Sequence, residues 1–215
     1  MAVPETELML LALYDFVPVA LGSLGALFVA RRLNRTMAYI GAAMVAAGGV
    51  GKAVAKLLSA LGAGEFDQLS GMLFPMMGCG LIILAAGAWE CRINFLGWCC
   101  IALAALGIAV PNVQGWYLIA VIGGTTTLYL ALGRHALRER DSTTLVLLVM
   151  TVATYLLGNL ARSEQTVSLQ WIEQTLNTVG QGAFAAAAVR QVSGHARAGR
   201  TPGAMPSRGT AAPNT

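Results

Sequence analysis

Two lysines, Lys52 and Lys56, stand one helical turn apart inside the apolar stretch "GGVGKAVAK", residues 48–56. A glycine-rich loop followed by lysine can cradle phosphates, but that chemistry needs G-x-x-x-x-G-K-[ST] after a strand. Here Ala46 stands where the first glycine belongs and Ala53 where the magnesium-binding hydroxyl belongs. The phosphate loop is therefore excluded. Other groups able to do chemistry are spread along the chain in similarly apolar settings. They are Asp15 near the start, Asn159 and Arg162 further on, and the series Glu173, Asn177 and Gln181. Ionisable groups within apolar runs need a partner, water or a ligand. Three chemistries suit this set: an ion-pair network that joins helices, a polar cavity that binds a charged solute, and acid–base work by a lysine and Glu173.

The chemistry that the residue types exclude is as informative. The histidines are His135 and His195, and neither lies within an expected span, so a histidine-based metal site or haem axial ligation is not expected. Cys79, Cys91, Cys99 and Cys100 form no C-x-x-C pair and read as small packing residues. No cofactor or metal is expected, and no nucleic-acid motif is present. Catalysis has no motif behind it, so the chain reads more as a binding or transport protein than as an enzyme. An intramembrane lipid-active enzyme using Lys and Glu, and an accessory or sensor subunit whose polar network is purely structural, are the alternatives.

The elements that carry these residues follow from composition. The chain has 215 residues, of which 56% are hydrophobic and 11% charged, against roughly a quarter charged in soluble domains. That is an all-α integral membrane protein. Its bilayer-spanning segments are expected at about 8–30, 37–61, 68–89, 94–111, 116–133, 143–161 and 169–190, seven helices in one domain over residues 1–192. Pro111-Asn112 and Gly115 divide the long uncharged stretch between the fourth and fifth spans. The first apolar run follows Glu5 and Glu7 with no basic residue before it, so a retained span is expected rather than a cleaved signal peptide. From Ser193 onward Gly, Pro, Ser, Thr and Arg predict a disordered cytoplasmic tail, residues 193–215.

Orientation follows from arginine placement. Arg31, Arg32 and Arg35, then Arg92, then Arg134, Arg138 and Arg140, then Arg190, Arg197, Arg200 and Arg208 all fall on one side; the other side has Arg162 alone. The N-terminus is thus expected outside and the C-terminus in the cytoplasm of a cell membrane, in all expectation a bacterial inner membrane. Heptahelical receptors and microbial rhodopsins share this count and orientation. The seventh span holds no lysine for retinal, so the resemblance ends at topology.

Helical periodicity at 100° per residue then predicts which way the polar groups face. In the first span Asp15 shares a face with Pro18, Gly22 and Ala26, opposite Leu13, Val17, Leu24 and Phe28. In the second, Gly41, Val45, Gly48, Lys52, Lys56 and Ser59 share the face opposite Val50, Val54, Leu57 and Leu61. Lys56 and Lys52 lie roughly 8 and 14 Å below the outer end of that span. Asp15 lies at a matching depth. In the sixth span Thr151, Tyr155, Asn159 and Arg162 recur at helical spacing. In the seventh Gln170, Glu173, Asn177 and Gln181 fall in one arc, with Gln174 at its edge. Pro75 is expected to kink the third span. "GGTTT" in the fifth span is read as threonines bonding back to their own helix. The expected site is an outward-facing cavity lined by Asp15, Lys52, Lys56, Asn159, Arg162, Glu173, Asn177 and Gln181. Its ligand would be a small anionic or zwitterionic solute or a lipid headgroup.

Overall fold

The computed structural model describes residues 5–110, 114–160 and 167–198, with backbone only at 5, 114–115, 158–160, 167 and 194–198. Among the described residues the chain is helical throughout. The helices are α1 (Glu5–Tyr14), α2 (Phe16–Leu33), α3 (Thr36–Ala60), α4 (Asp67–Gly71), α5 (Leu73–Ala88), α6 (Ile93–Ala109), α7 (Gln114–Arg138), α8 (Ser142–Leu160) and α9 (Val167–Ala198). They make seven rods, because α1 runs into α2 and α4 into α5. Each junction lies three residues before a proline. Pro18 and Pro75 have no N–H to give the carbonyls of Tyr14 and Gly71, so the helical ladder lapses at Asp15 and at Met72. The freed carbonyl expected one turn before Pro75 accordingly coincides with a break between α4 and α5, and Pro18 has the same effect between α1 and α2.

The rods match the seven expected spans to within a few residues, with two extensions. Helix α7 continues to Arg138, beyond 133. Helix α9 continues to Ala198, beyond 190, so residues 193–198 belong to a helix and not to the tail. The rest of the expected tail lies outside the described residues. Four rods, Thr6–Leu33, Thr36–Ala60, Asp67–Ala88 and Trp116–Arg138, are long and apolar enough to cross a membrane. The apolar helix α6 and the apolar part of α8 are shorter.

Six rods close a ring. Helix α2 packs on α3, α3 on α5, α5 on α7, α7 on α8, α8 on α9, and α9 returns to α2. The seventh rod, α6, lies outside this ring against α5. Glycines set the closest approaches. A Cβ on Gly80 of α5 would lie 2.5 Å from the carbonyl oxygen of Gly41 on α3, so this crossing needs glycine on both helices. The outward surface is apolar. Phe95 and Trp98 on α6, Trp116 and Ile119 on α7 and Val146 and Val149 on α8 are all more than 60% exposed. Apolar side chains of that size turned outward on every side suit a hydrocarbon surrounding.

One end of the ring is basic, and its turns share one device. Asn34, Glu90 and Arg140 each take a positive φ just after a helix C-terminus. The Cys91 N–H bonds Ala86 and the Asp141 N–H bonds Ala136, which satisfies carbonyls the helices leave open. Asp141 then caps α8, accepting from the Thr144 N–H at 3.1 Å and the Thr144 hydroxyl at 2.6 Å.

Candidate functional site

A cavity of about 220 Å³ lies among the rods of the ring, and every one of the six supplies part of its wall. From α2 and its junction come Asp15, Pro18, Gly22 and Ala26. Pro18 and Ala26 are buried with Asp15, while Leu13, Val17 and Leu24 on the opposite face are exposed; Phe28, expected with them, is half-buried against the core. The first-span face predicted from periodicity is therefore the face that meets the cavity. From α9 come Gln174, Asn177, Gln181 and Phe184. From α3 come Val45, Gly49, Lys52 and Ala53; from α5, Phe74, Met77 and Leu81; from α7, Val121, Thr125 and Tyr129; from α8, Tyr155.

Asp15 is the most enclosed ionisable group here, with 6% of its surface exposed. Its Oδ2 accepts from Lys56 Nζ at 2.7 Å, which ties the α1–α2 junction to α3. Its Oδ1 has no hydrogen-bond partner among the described residues. A carboxylate oxygen buried that way is costly, and it belongs to a residue that lines the cavity. Sequence reasoning matched Asp15 in depth with both lysines but left open which one meets it; the structure gives that contact to Lys56. Lys52, one turn nearer the bundle middle, is exposed and contributes to the cavity wall. The α3 face divides accordingly. Gly41, Val45 and Gly48 are buried against neighbouring helices, and Lys52 and Ser59 are not.

On α9 the polar arc splits. Gln174, Asn177 and Gln181 line the cavity, whereas Glu173 is half-buried and stands outside its lining. Gln181 reaches the cavity across Gly22: a Cβ there would come within 2.7 Å of its Oε1. Asn159 is in the last turn of α8, where the backbone alone is described, and Arg162 lies outside the described residues. Tyr14 and Trp171, with ring centroids 5.6 Å apart, join α1 to the start of α9 beside the site. The face of α5 that carries Pro75 and Gly78 turns away; a Cβ on Gly78 would press on Tyr117 and Ala120 of α7.

Tyr129 and Phe184 are cavity residues that sequence reasoning missed. They stand at the far end of the cavity, with ring centroids 5.5 Å apart. Neither carries a charge, and only their position inside the ring marks them. Thr125, from "GGTTT", also lines the cavity. Among the described residues the bonds back to a residue four earlier are made by Ser23, Thr151, Thr154, Thr175, Thr178 and Ser193.

At the basic end a different cluster forms. Arg32 donates to Gln191 Oε1 and lies 3.8 Å from Glu139. The Gln191 amide, 2% exposed, donates onward to the Leu132 carbonyl at 2.9 Å. Arg190 meets Asp141 at 3.1 Å. The Thr144 hydroxyl above all, and then Arg190, hold the Asp141 carboxyl well below its usual range, down to about 2. Arg134 lies over the Trp89 ring at 5.1 Å, and the Trp89 indole donates to the Thr127 carbonyl. A second cavity, about 290 Å³, lies at this end between Arg32, Arg35, Glu90 and His135.

Among the described residues no group of three or more His, Cys, Asp or Glu side chains is placed to hold a metal ion. Comparison with protein-family models, curated proteins and solved structures gives no match to this chain.

Proposed function

We propose that the chain is a multi-pass cell-membrane protein that binds, and on binding transports, a small anionic or zwitterionic molecule or lipid headgroup in the ring cavity. The observation that carries this reading is the lining itself. A buried carboxylate with one oxygen unpartnered among the described residues, a lysine of α3 and three carboxamides of α9 converge on one cavity. Concave sites with a few convergent polar groups on mostly apolar walls are the usual form of a small-molecule site. The amides of Gln174, Asn177 and Gln181 offer donors and acceptors together. With Asp15 and Lys52 beside them they suit a ligand that carries both signs of charge.

The cavity's polar end is the one opposite the arginine-rich end. With arginines toward the cytoplasm, it faces outward. Reporter fusions after Arg35, Arg92 and Arg140 should then score cytoplasmic, and an external score at Arg140 contradicts this orientation. The binding reading is tested by mass spectrometry of small molecules and lipids retained by gently purified protein. A defined species should be present in wild type and lost in Asn177→Ala. Wild-type protein that retains nothing, and shows no flux of any charged solute in vesicles, contradicts it.

A second reading holds for one contact. The Lys56–Asp15 pair at 2.7 Å has the geometry of a strut between α3 and the α1–α2 junction, and in this reading it fixes the wall while Lys52 and the amides meet the ligand.

A further inference from the structure

The cavity is long and graded. Asp15 and Ala26 both line it, and eleven residues of helix separate them, about 16 Å at 1.5 Å per residue. Gln174 and Phe184 on α9 span a similar length. A volume of about 220 Å³ drawn out over that distance makes a slot, with room for about seven waters at ~30 Å³ each.

Polarity falls along the slot. Asp15, Lys52, Gln174, Asn177 and Tyr155 stand toward the end where α9 begins. Val19, Phe74, Met77 and Val121 follow, then Ala26, Val45, Leu81 and Phe184. Gln181 stands just past mid-slot against Gly22, and below it the Ser23 hydroxyl is already engaged with the Val19 carbonyl. The Thr125 and Tyr129 hydroxyls stand deepest, set among apolar side chains. A buried water needs two to four polar partners, and this stretch offers few. An apolar chain suits it better.

We infer that the slot takes a single-chain amphiphile, with a zwitterionic or anionic head at Asp15, Lys52 and Asn177 and an unbranched apolar tail running down between Phe74 and Phe184. The inference rests on the reading of this cavity as a ligand site and adds the ligand's shape. A zwitterionic head sets its cation against the Asp15 oxygen that has no hydrogen-bond partner among the described residues, and either head sets its anion toward Lys52 and the Asn177 amide. The tail fills the deeper half, each methylene leaving water for an apolar wall.

The test is a binding series on the full chain in polymer-bounded nanodiscs, read by native mass spectrometry. The probes are alkylphosphocholines from hexyl to dodecyl, the matching alkyl carboxylates, phosphocholine alone and decanol. Affinity for one of the two charged series should rise about fourfold per methylene until the tail reaches Tyr129 and then level off. Phosphocholine and decanol should each bind far more weakly than the charged amphiphile of matching head or tail. Thr125→Phe, which blocks the deep end, should flatten the chain-length dependence while shorter members still bind. Thr125→Val, of similar volume to threonine, should keep the dependence and so controls for misfolding. Phosphocholine binding as tightly as its dodecyl ester, or indifference to Thr125→Phe, would overturn the tail and leave the cavity reading standing. Failure of every probe, with nothing retained by wild type, would overturn both.

Discussion

The two ends of the bundle use charge in opposite ways. At the basic end the central charged groups find protein partners. Arg32 has Gln191 and Glu139, Arg190 has Asp141, and Arg134 has the face of Trp89. These contacts join α2, α5, α7, α8 and α9 where they are held in register by their turns. At the other end Asp15 keeps one oxygen on Lys56 and one without a hydrogen-bond partner among the described residues, and the amides of α9 face an open slot. A network whose members satisfy one another fastens helices. The Asp15 oxygen beside empty volume leaves a hydrogen bond to be made by something else. Charge in an apolar setting is thus not by itself a sign of function, and the proposed ligand site rests on that oxygen and on the cavity beside it.

The largest effect expected on stability comes from the contact that bounds the cavity. Lys56→Met leaves Asp15 buried without its cation. It should cost about 3 kcal/mol, the low end for a broken buried pair, since Lys56 is a third exposed. Asp15→Asn added to it should restore most of that loss in thermal unfolding. A double mutant no better than the single one would show that the pair is not coupled.

At the basic end Gln191→Leu removes an amide that both accepts from Arg32 and donates to Leu132. About 2 kcal/mol should be lost, the cost of leaving such buried partners unmatched, with ligand retention intact. Loss of the ligand in this variant would erase the distinction between the two ends.

A smaller effect is tied to pH. The Asp141 carboxyl in the folded chain sits at about 2, below its unfolded value of about 3.9. The stabilisation it gives is therefore complete above about pH 4 and disappears as pH falls from there toward 2. Thr144→Val removes the largest cause of the depression. It should flatten the acid limb of a stability-versus-pH curve and leave stability near pH 7 lower by about 1 kcal/mol, the usual net worth of one hydrogen bond. An unchanged acid limb would detach Asp141 from the fastening network.

The smallest effect on stability belongs to Gly22→Ala. The added methyl displaces the flexible end of Gln181 rather than backbone, and alanine favours the helix by up to about 1 kcal/mol. Unfolding should change little, while binding in the slot weakens because the amide is moved. A large loss of stability would show that Gln181 is a packing residue.

The sequence carried the fold through its hydropathy and its arginines, and it carried half of the site through periodicity. The face holding Asp15, Pro18, Gly22 and Ala26 was legible because one helix wheel sorts small and polar residues from Leu13, Val17 and Leu24. The partner of Asp15 was not. Lys52 and Lys56 lie four residues apart on one face, and which of them reaches the carboxylate depends on where the first rod crosses α3. That crossing is a tertiary fact. Glu173 shares an arc with Asn177 and Gln181, yet a half-buried position outside the cavity is equally compatible with that arc. Tyr129 and Phe184 gave no signal, because an aromatic residue in an apolar run looks the same facing lipid, core or cavity. The end of α9 was misplaced for a simpler reason. Gln191, His195 and Arg197 are polar but no obstacle to a helix, so a change in composition at Ser193 marked the end of the apolar run and not the end of the helix.

The central claim is that the cavity end holds a ligand and the basic end holds the bundle. It is tested most directly by comparing wild type, Lys52→Gln and Gln191→Leu side by side, recording retained molecules by mass spectrometry and unfolding temperature on the same preparations. Lys52→Gln should lose the retained molecule with stability within about 1 kcal/mol of wild type, as for an exposed charge. Gln191→Leu should be less stable and keep the molecule. The same retained species in all three proteins, with the stability loss falling on Lys52→Gln instead, would contradict the account.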